Sequence, residues 1–213
     1  MKRISRKDIA EMEKRYRAAL VNSLSGFKSA NLIGSRSKDG IANLSIVSST
    51  IHLGSNPPLL GTVFRPDSVP RHTLDNLRES GYYTVNHVNS SFTSNAHQTA
   101  ARYHESISEF EACNLSEEYL GDFKQPFVKQ AVIKMAMKKV DEIKIEINGT
   151  ILVIGEIQDL YLSEDFLRTD GSVDLEKANT VAISGLDTYL KASKIARYSY
   201  AKPHKELERL DNV

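Results

Sequence analysis

The sequence predicts a mainly β protein, an antiparallel barrel with helices at its periphery, and three observations carry that expectation. Six or seven short runs rich in Val, Ile, Leu, Thr and Ser alternate with turn residues. Most of them are joined by short turns and few form strand–helix–strand units, which argues against a doubly wound sheet. The clearest run, Glu142 to Leu162, alternates apolar and polar residues on both sides of Asn148-Gly149. That dipeptide takes the positive φ angles of a two-residue type I′ hairpin turn.

Taken in order, residues 6–22 have Ile9, Met12, Tyr16, Ala19 and Leu20 at helical spacing and read as a helix. The period then changes. Residues 30–35 read as a strand, followed by a turn at Lys38-Asp39-Gly40. Residues 41–53 suit one long or bulged strand. Gly54-Ser55-Asn56-Pro57-Pro58 must break it, because proline donates no ladder hydrogen bond and restricts its predecessor. Residues 59–64 form a short buried strand. A short helix over 72–79 ends at Gly81, and 82–88 return to strand. Residues 94–104 look helical, 105–127 irregular and 130–139 extended. Residues 163–180 are polar and loop-like, and 185–193 suggest a final helix. The expected organisation is one domain over residues 1–213, with 1–27 as an N-terminal helical extension.

A chain of 213 residues with net charge +1 gives no global electrostatic case for nucleic acid or an anionic membrane. The basic residues of the first helix are interleaved with Asp8, Glu11 and Glu13, as on a solvated face. No apolar run reaches the roughly 18 residues of a membrane span, and the first residues lack the apolar core of a signal peptide. A cytoplasmic protein is the expectation. One cysteine, Cys113, excludes an internal disulfide framework and a thiolate zinc cluster. The histidines lack H-E-x-x-H spacing, so no metal site is expected. Neither a G-x-S-x-G elbow, a phosphate-binding G-x-x-x-x-G-K-[ST] loop nor a G-x-G-x-x-G turn occurs. No catalytic acid–base or nucleophilic residue is identified.

The most informative stretch begins at Asn43. Small hydroxyl residues Ser45, Ser48, Ser49 and Thr50 lie on an extended run. On a barrel strand they leave room for a flat ligand, though a polar outer strand face is an equally good reading. Arg65, Ser68, Arg71, His72 and Thr73 then precede or open a helix. A phosphate needs several donors: arginine offers a planar fork, hydroxyls add donors, and a helix N-terminus presents free N–H groups. The competing reading is a surface turn shaped by Pro66 and Pro70.

Several segments in order resemble the flavin reductase-like, FMN-binding split-barrel family, which includes flavoredoxin. They are Gly40-Ile-Ala-Asn-Leu-Ser-Ile-Val-Ser-Ser, Asn56-Pro57-Pro58, Arg71-His72-Thr73-Leu-Asp-Asn76, Tyr83-Thr84-Val85-Asn86 and Ser108-Glu109-Phe110. The likeness spans about residues 28 to 200. His72 stands where the family often has an acid, which makes the loop more basic. The resemblance implies an antiparallel split barrel acting as a homodimer, with FMN held noncovalently near the subunit interface. Asn43, Ser45, Ser48, Ser49 and Thr50 would line the ring and ribityl chain. Arg65, Arg71 and Thr73 would hold the phosphate, with Ser68, His72 and Asn86 nearby. Ile51, Leu53 and Tyr83 would supply apolar cover across the interface.

The implied function is FMN-dependent oxidoreduction, with NAD(P)H as co-substrate of a flavin reductase-like hydride transfer. The alternative is a flavoredoxin-like electron carrier without fast nicotinamide oxidation. Hydride transfer asks little of protein side chains, because the flavin carries the chemistry. The absence of an acid–base dyad is therefore consistent with either.

Overall fold

The computed structural model describes residues 1–210. Among them are five α-helices: α1 Arg6–Glu11, α2 Lys14–Ser23, α3 His72–Ser80, α4 Thr93–Gln98 and α5 Glu109–Ala112. The strands are β1 Lys28–Ser29, β2 Asn31–Arg36, β3 Ala42–Val47, β4 Thr50–Ser55, β5 Pro58–Phe64, β6 Tyr82–His87, β7 Glu117–Glu118, β8 Phe127–Val128, β9 Ile133–Ile145, β10 Thr150–Leu162, β11 Val181–Ser184 and β12 Thr188–Lys191. Seven of them form one sheet in the order β3-β2-β6-β9-β10-β5-β4. Every pairing in it is antiparallel.

The two edges of this sheet, β3 and β4, are consecutive in the chain, so the sheet must curl for residues 48–49 to connect them. Ser49 marks the approach. Its carbonyl accepts from the Val63 N–H at 3.3 Å, and its hydroxyl donates to the Val63 carbonyl at 2.7 Å. No ladder closes the gap, and the architecture is a split barrel. Two register shifts in the β9–β10 pair, at Ile154/Gly155 and Ile157/Asp159, supply curvature.

Strand alternation divides the core in two. Ile33, Tyr83, Val85, Met135, Met137, Ile151 and Val153 pack together, joined by Leu74 and Leu77 of α3. Leu32 and Leu44, on the other face, pack with Val88, Phe92, Ala96, Phe110, Val128 and Ile183. Gly34 permits the closest approach on that face: a Cβ there would lie 2.2 Å from the Pro126 carbonyl oxygen.

Several expectations are met and several are corrected. The helix over residues 72–79 is α3, ended by Gly81 at φ 72°. The first predicted helix is two, because Met12 is extended and Glu13 starts a new N-cap, accepting from the Arg15 and Tyr16 N–H groups. Residues 41–53 are not one strand but β3 and β4, which leave the sheet at opposite edges. The break expected within Gly54 to Pro58 is present as the turn at residues 56–57 between β4 and β5, with a cis Asn56–Pro57 bond, though β4 runs on through Ser55 and β5 already starts at Pro58. The Asn148-Gly149 hairpin exists, but Ile145 pairs with Thr150 across a four-residue loop. Gly149 takes a positive φ and Asn148 does not, because its side chain accepts from the Thr150 N–H and hydroxyl. The helix predicted over 94–104 stops at Gln98. The predicted final helix is a strand, β12, paired with β11 through a turn in which Gly185 has φ 62°. Tyr83 is 1% exposed and gives no surface cover.

Candidate functional site

The chain leaves β5 at Phe64, crosses residues 65–71 and enters α3. The loop is braced from within: the Arg71 Nε–H donates to the Pro66 carbonyl at 3.2 Å, and the Arg71 N–H donates to Asp75 Oδ2 at 3.3 Å. No side chain caps the N-terminus of α3, whose N-cap residue is Arg71 itself. The first turn therefore keeps free N–H groups and the positive end of the helix dipole.

Positive charge gathers there. Arg71 is half-buried, and its pKa is lowered by that burial and by repulsion from Arg65 and Arg102. Arg78, Arg168 and Arg197 are ion-paired. Arg65, Arg71 and Arg102 are not among them. Like charges brought together with no carboxylate paired to their guanidinium groups favour an anion with several acceptor oxygens. A flavin phosphate fits this chemistry: guanidinium forks, the Ser68 hydroxyl and the open helix N-terminus meet its needs.

The predicted residues divide into two groups. Arg65 and Ser68 are exposed, and Ser45, Ser48, Arg71 and His72 are half-buried. The hydroxyls of Ser45, Ser48 and Ser68 have no hydrogen-bond partner among the described residues. Asn43, Thr73 and Asn86 are buried and already engaged. Thr73 Oγ1 donates to Asn43 Oδ1 at 2.8 Å. Asn86 donates to the Leu32 carbonyl and Thr84 Oγ1, and accepts from the Val128 N–H at 3.0 Å. Ser49 ties to Val63, and Thr50 Oγ1 meets Thr62 Oγ1 at 3.1 Å.

Three residues that the sequence did not nominate stand beside these. Arg102 follows α4 and adds the third positive charge. Thr99 accepts the outward N–H of Ile46 at 3.0 Å, and Glu109 accepts that of Leu44 at 3.0 Å. Together they cover the open edge of β3, which would otherwise present unpaired donors. Glu109 also accepts from Asn43 Nδ2 at 2.7 Å. Burial raises the pKa of Glu109, opposed by these two bonds and by nearby His72. Glu109 lies in the Ser108-Glu109-Phe110 segment, so a signal existed, but no spacing rule joins it to Asn43.

No helix among the described residues is long and apolar enough to cross a membrane. A family model described as the flavin reductase like domain matches residues 26–174. Among solved structures, the chain is similar to a candidate flavin reductase with a split barrel domain from Shewanella frigidimarina NCIMB 400. The identity is 53%, with 94% of this chain and 100% of that chain covered and a TM-score of 0.91. The fold is also that of nitrilotriacetate monooxygenase component B from Bacillus cereus, at 22% identity, 91% and 96% coverage and a TM-score of 0.79. Flavoredoxin of Desulfovibrio vulgaris (Miyazaki F) shares it at 20% identity, 84% and 92% coverage and a TM-score of 0.69. No curated protein sequence matches the chain.

Proposed function

Because the chain belongs to the flavin reductase like family, we propose that it binds FMN noncovalently and transfers hydride from NAD(P)H to the flavin. The observation that carries this reading is the cluster of Arg65, Arg71 and Arg102 beside the uncapped N-terminus of α3. Arg65, Arg71, Arg102 and Ser68 hold the phosphate, with His72 beside them at the start of α3. Thr73 contributes its backbone N–H at the first turn, since its hydroxyl is engaged with Asn43. Ser45 and Ser48, on and just after β3, offer their free hydroxyls to the ribityl chain and ring edge. Asn43, Ser49, Thr50 and Asn86 shape the wall behind them.

When bound, the flavin supplies the hydride-accepting chemistry. The protein's part is to anchor, orient and limit water. The anchoring is electrostatic, so a site partly enclosed by protein keeps more of its attraction in salt than an open one does.

The flavin ring needs apolar cover, and edge strand β4 offers a surface for it: Ile51 is 52% and Leu53 41% exposed. We place a C₂ homodimer on this edge. Light scattering giving a monomer that retains FMN would contradict that arrangement.

The test of the activity is direct. Purify the protein without added cofactor, record the visible spectrum, titrate with FMN, and mix the loaded protein with NADH or NADPH in a stopped-flow instrument. Fast bleaching of the flavin band by either nucleotide is expected. Failure to bind FMN at micromolar concentration would defeat the reading. Bound FMN reduced only by a chemical donor would instead make the protein a flavoredoxin-like electron carrier.

A further inference from the structure

We propose that Glu109 is a positioning residue for the phosphate loop, acting through Asn43 and Thr73. This rests on the reading of residues 65–73 as the FMN phosphate site. Glu109, on α5, is 5% exposed, and none of the ion pairs among the described residues includes it. One of its oxygens, Oε2, takes two donors, the Leu44 N–H at 3.0 Å and Asn43 Nδ2 at 2.7 Å. A carboxylate only accepts, so it dictates which end of the Asn43 amide faces it. The Asn43 oxygen is thereby turned the other way, where it accepts from Thr73 Oγ1 at 2.8 Å and Ser35 Oγ at 3.3 Å. Ser35 Oγ in turn accepts from Asn76 Nδ2 at 3.1 Å.

Five buried side chains from β2, β3, α3 and α5 are thus linked in one directional chain. Two of its ends, Thr73 and Asn76, lie on α3, the first of them in the opening turn. The loop carrying Arg65, Ser68 and Arg71 enters that same turn, so its geometry follows the helix start. Reversing the Asn43 amide would point its NH₂ group at the Thr73 hydroxyl and its oxygen at a carboxylate. An apolar residue at 109 would leave the Leu44 N–H and the Asn43 amide buried and unpaired. Burial of unpaired polar groups is costly, and α3 would have to shift to relieve it. Glu109 therefore controls cofactor binding without touching the cofactor.

The experiment measures FMN and riboflavin affinity in parallel, together with the melting temperature. Wild-type protein is expected to prefer FMN. Glu109→Ala should weaken FMN roughly tenfold while riboflavin changes little. Asn43→Asp places a second acceptor-only group opposite Glu109 and should lose the preference as well. Glu109→Gln, whose amide oxygen can accept from both the Leu44 N–H and Asn43 Nδ2, should keep most of the preference. Loss of both flavins in equal measure, following the melting temperature, would make Glu109 a general stabiliser and overturn the proposal. An unchanged preference in Glu109→Ala would overturn it too, and so would a loss in Glu109→Gln as large as in Glu109→Ala. Should Glu109→Ala not fold, the Asn43→Asp and Glu109→Gln variants carry the same comparison. A wild-type protein that binds both flavins equally would refute the phosphate site itself, a distinct and earlier failure.

Discussion

Removing one atom, the hydroxyl oxygen of Tyr83, should make this protein more stable. Tyr83 lies on β6 in the core and is 1% exposed, and its Oη has no hydrogen-bond partner among the described residues. Burial raises its pKa, so the hydroxyl stays protonated and polar. An unsatisfied buried polar group costs about 1–3 kcal/mol. Tyr83→Phe removes that cost and opens a gap of about one heavy atom, worth roughly 0.5 kcal/mol at ~24 cal/mol per Å³. The expected net gain is about 0.5–2 kcal/mol, or roughly 1–8 °C in Tm for a chain of this size. The neighbour supplies an internal control. A Cβ on Gly155 would stand 2.0 Å from Tyr83 Oη but 2.9 Å from Cζ and 3.2 Å from Met137 Cε. Gly155→Ala should therefore destabilise by about 1–3 kcal/mol or more. In the Tyr83→Phe background the worst contact is gone, so the loss should shrink by at least ~0.5 kcal/mol, a coupling expected only of touching residues. Thermal melts at one fixed protein concentration, with all four variants in one cycle, measure this. A Tm that falls on Tyr83→Phe would mean the hydroxyl has a partner, and an additive cycle would mean Gly155 does not meet it.

Arg71→Ala should weaken FMN by about ten- to a hundred-fold and riboflavin little, since a hydrogen bond to a charged group is worth roughly 1.5–3 kcal/mol; flavin fluorescence titration reads both, and equal losses would refute the phosphate assignment. Gly34→Ala should fail to fold stably or lose about 3 kcal/mol, because its Cβ would lie 2.2 Å from the Pro126 carbonyl and 2.5 Å from Thr84 Oγ1; an unchanged melting curve would show that the β8 segment does not pack there. Burial lowers the pKa of His87 from 6.5 to about 4, so folding favours its neutral form, and stability should be intact above pH 6.5 and fall as pH drops toward 4. The whole loss is about 3 kcal/mol at most, and His87→Leu should flatten that part of a denaturant–pH series if burial of the ring is the cause.

What the sequence revealed follows the range of the interactions involved. α3 was legible because its pattern, its start and Gly81 lie within ten residues of one another. The long hairpin was legible from alternation, yet its turn was misread. Asn148 takes its partner from Thr150 two residues on, and that local bond selected a four-residue loop over a type I′ turn. β12 was mistaken for a helix because residues 188–191 are too few to show a period, and only pairing with β11 settles them. Residues 41–53 have strand composition throughout. That the chain changes sheet edges at Ser48–Ser49 depends on contacts with Val63, which no local pattern encodes.

The site divides along the same line. Arg65, Ser68, Arg71 and His72 sit within eight residues, and their types alone suggest an anion. Asn43 and Thr73 were singled out as residues facing a ligand, and here their side chains face each other. Those two readings are compatible once the site is seen as layered. On the proposed reading a charged ligand would be held by groups that can be spared from the fold, which are Arg65, Arg71 and Arg102, the free hydroxyls and the helix N-terminus. Those groups stay in place because a buried polar layer behind them is satisfied. Glu109 stands at the back of that layer, 66 positions from Asn43. A carboxylate there is costly unless every donor around it is used, and it fixes the sense of each hydrogen bond in front of it. A motif shared with a family can therefore point at a region while leaving open which of its residues would touch a ligand and which would hold those that do. The side-chain hydrogen bonds of Asn43 and the Thr73 hydroxyl are spent within the protein, so on the proposed reading both belong to the supporting layer.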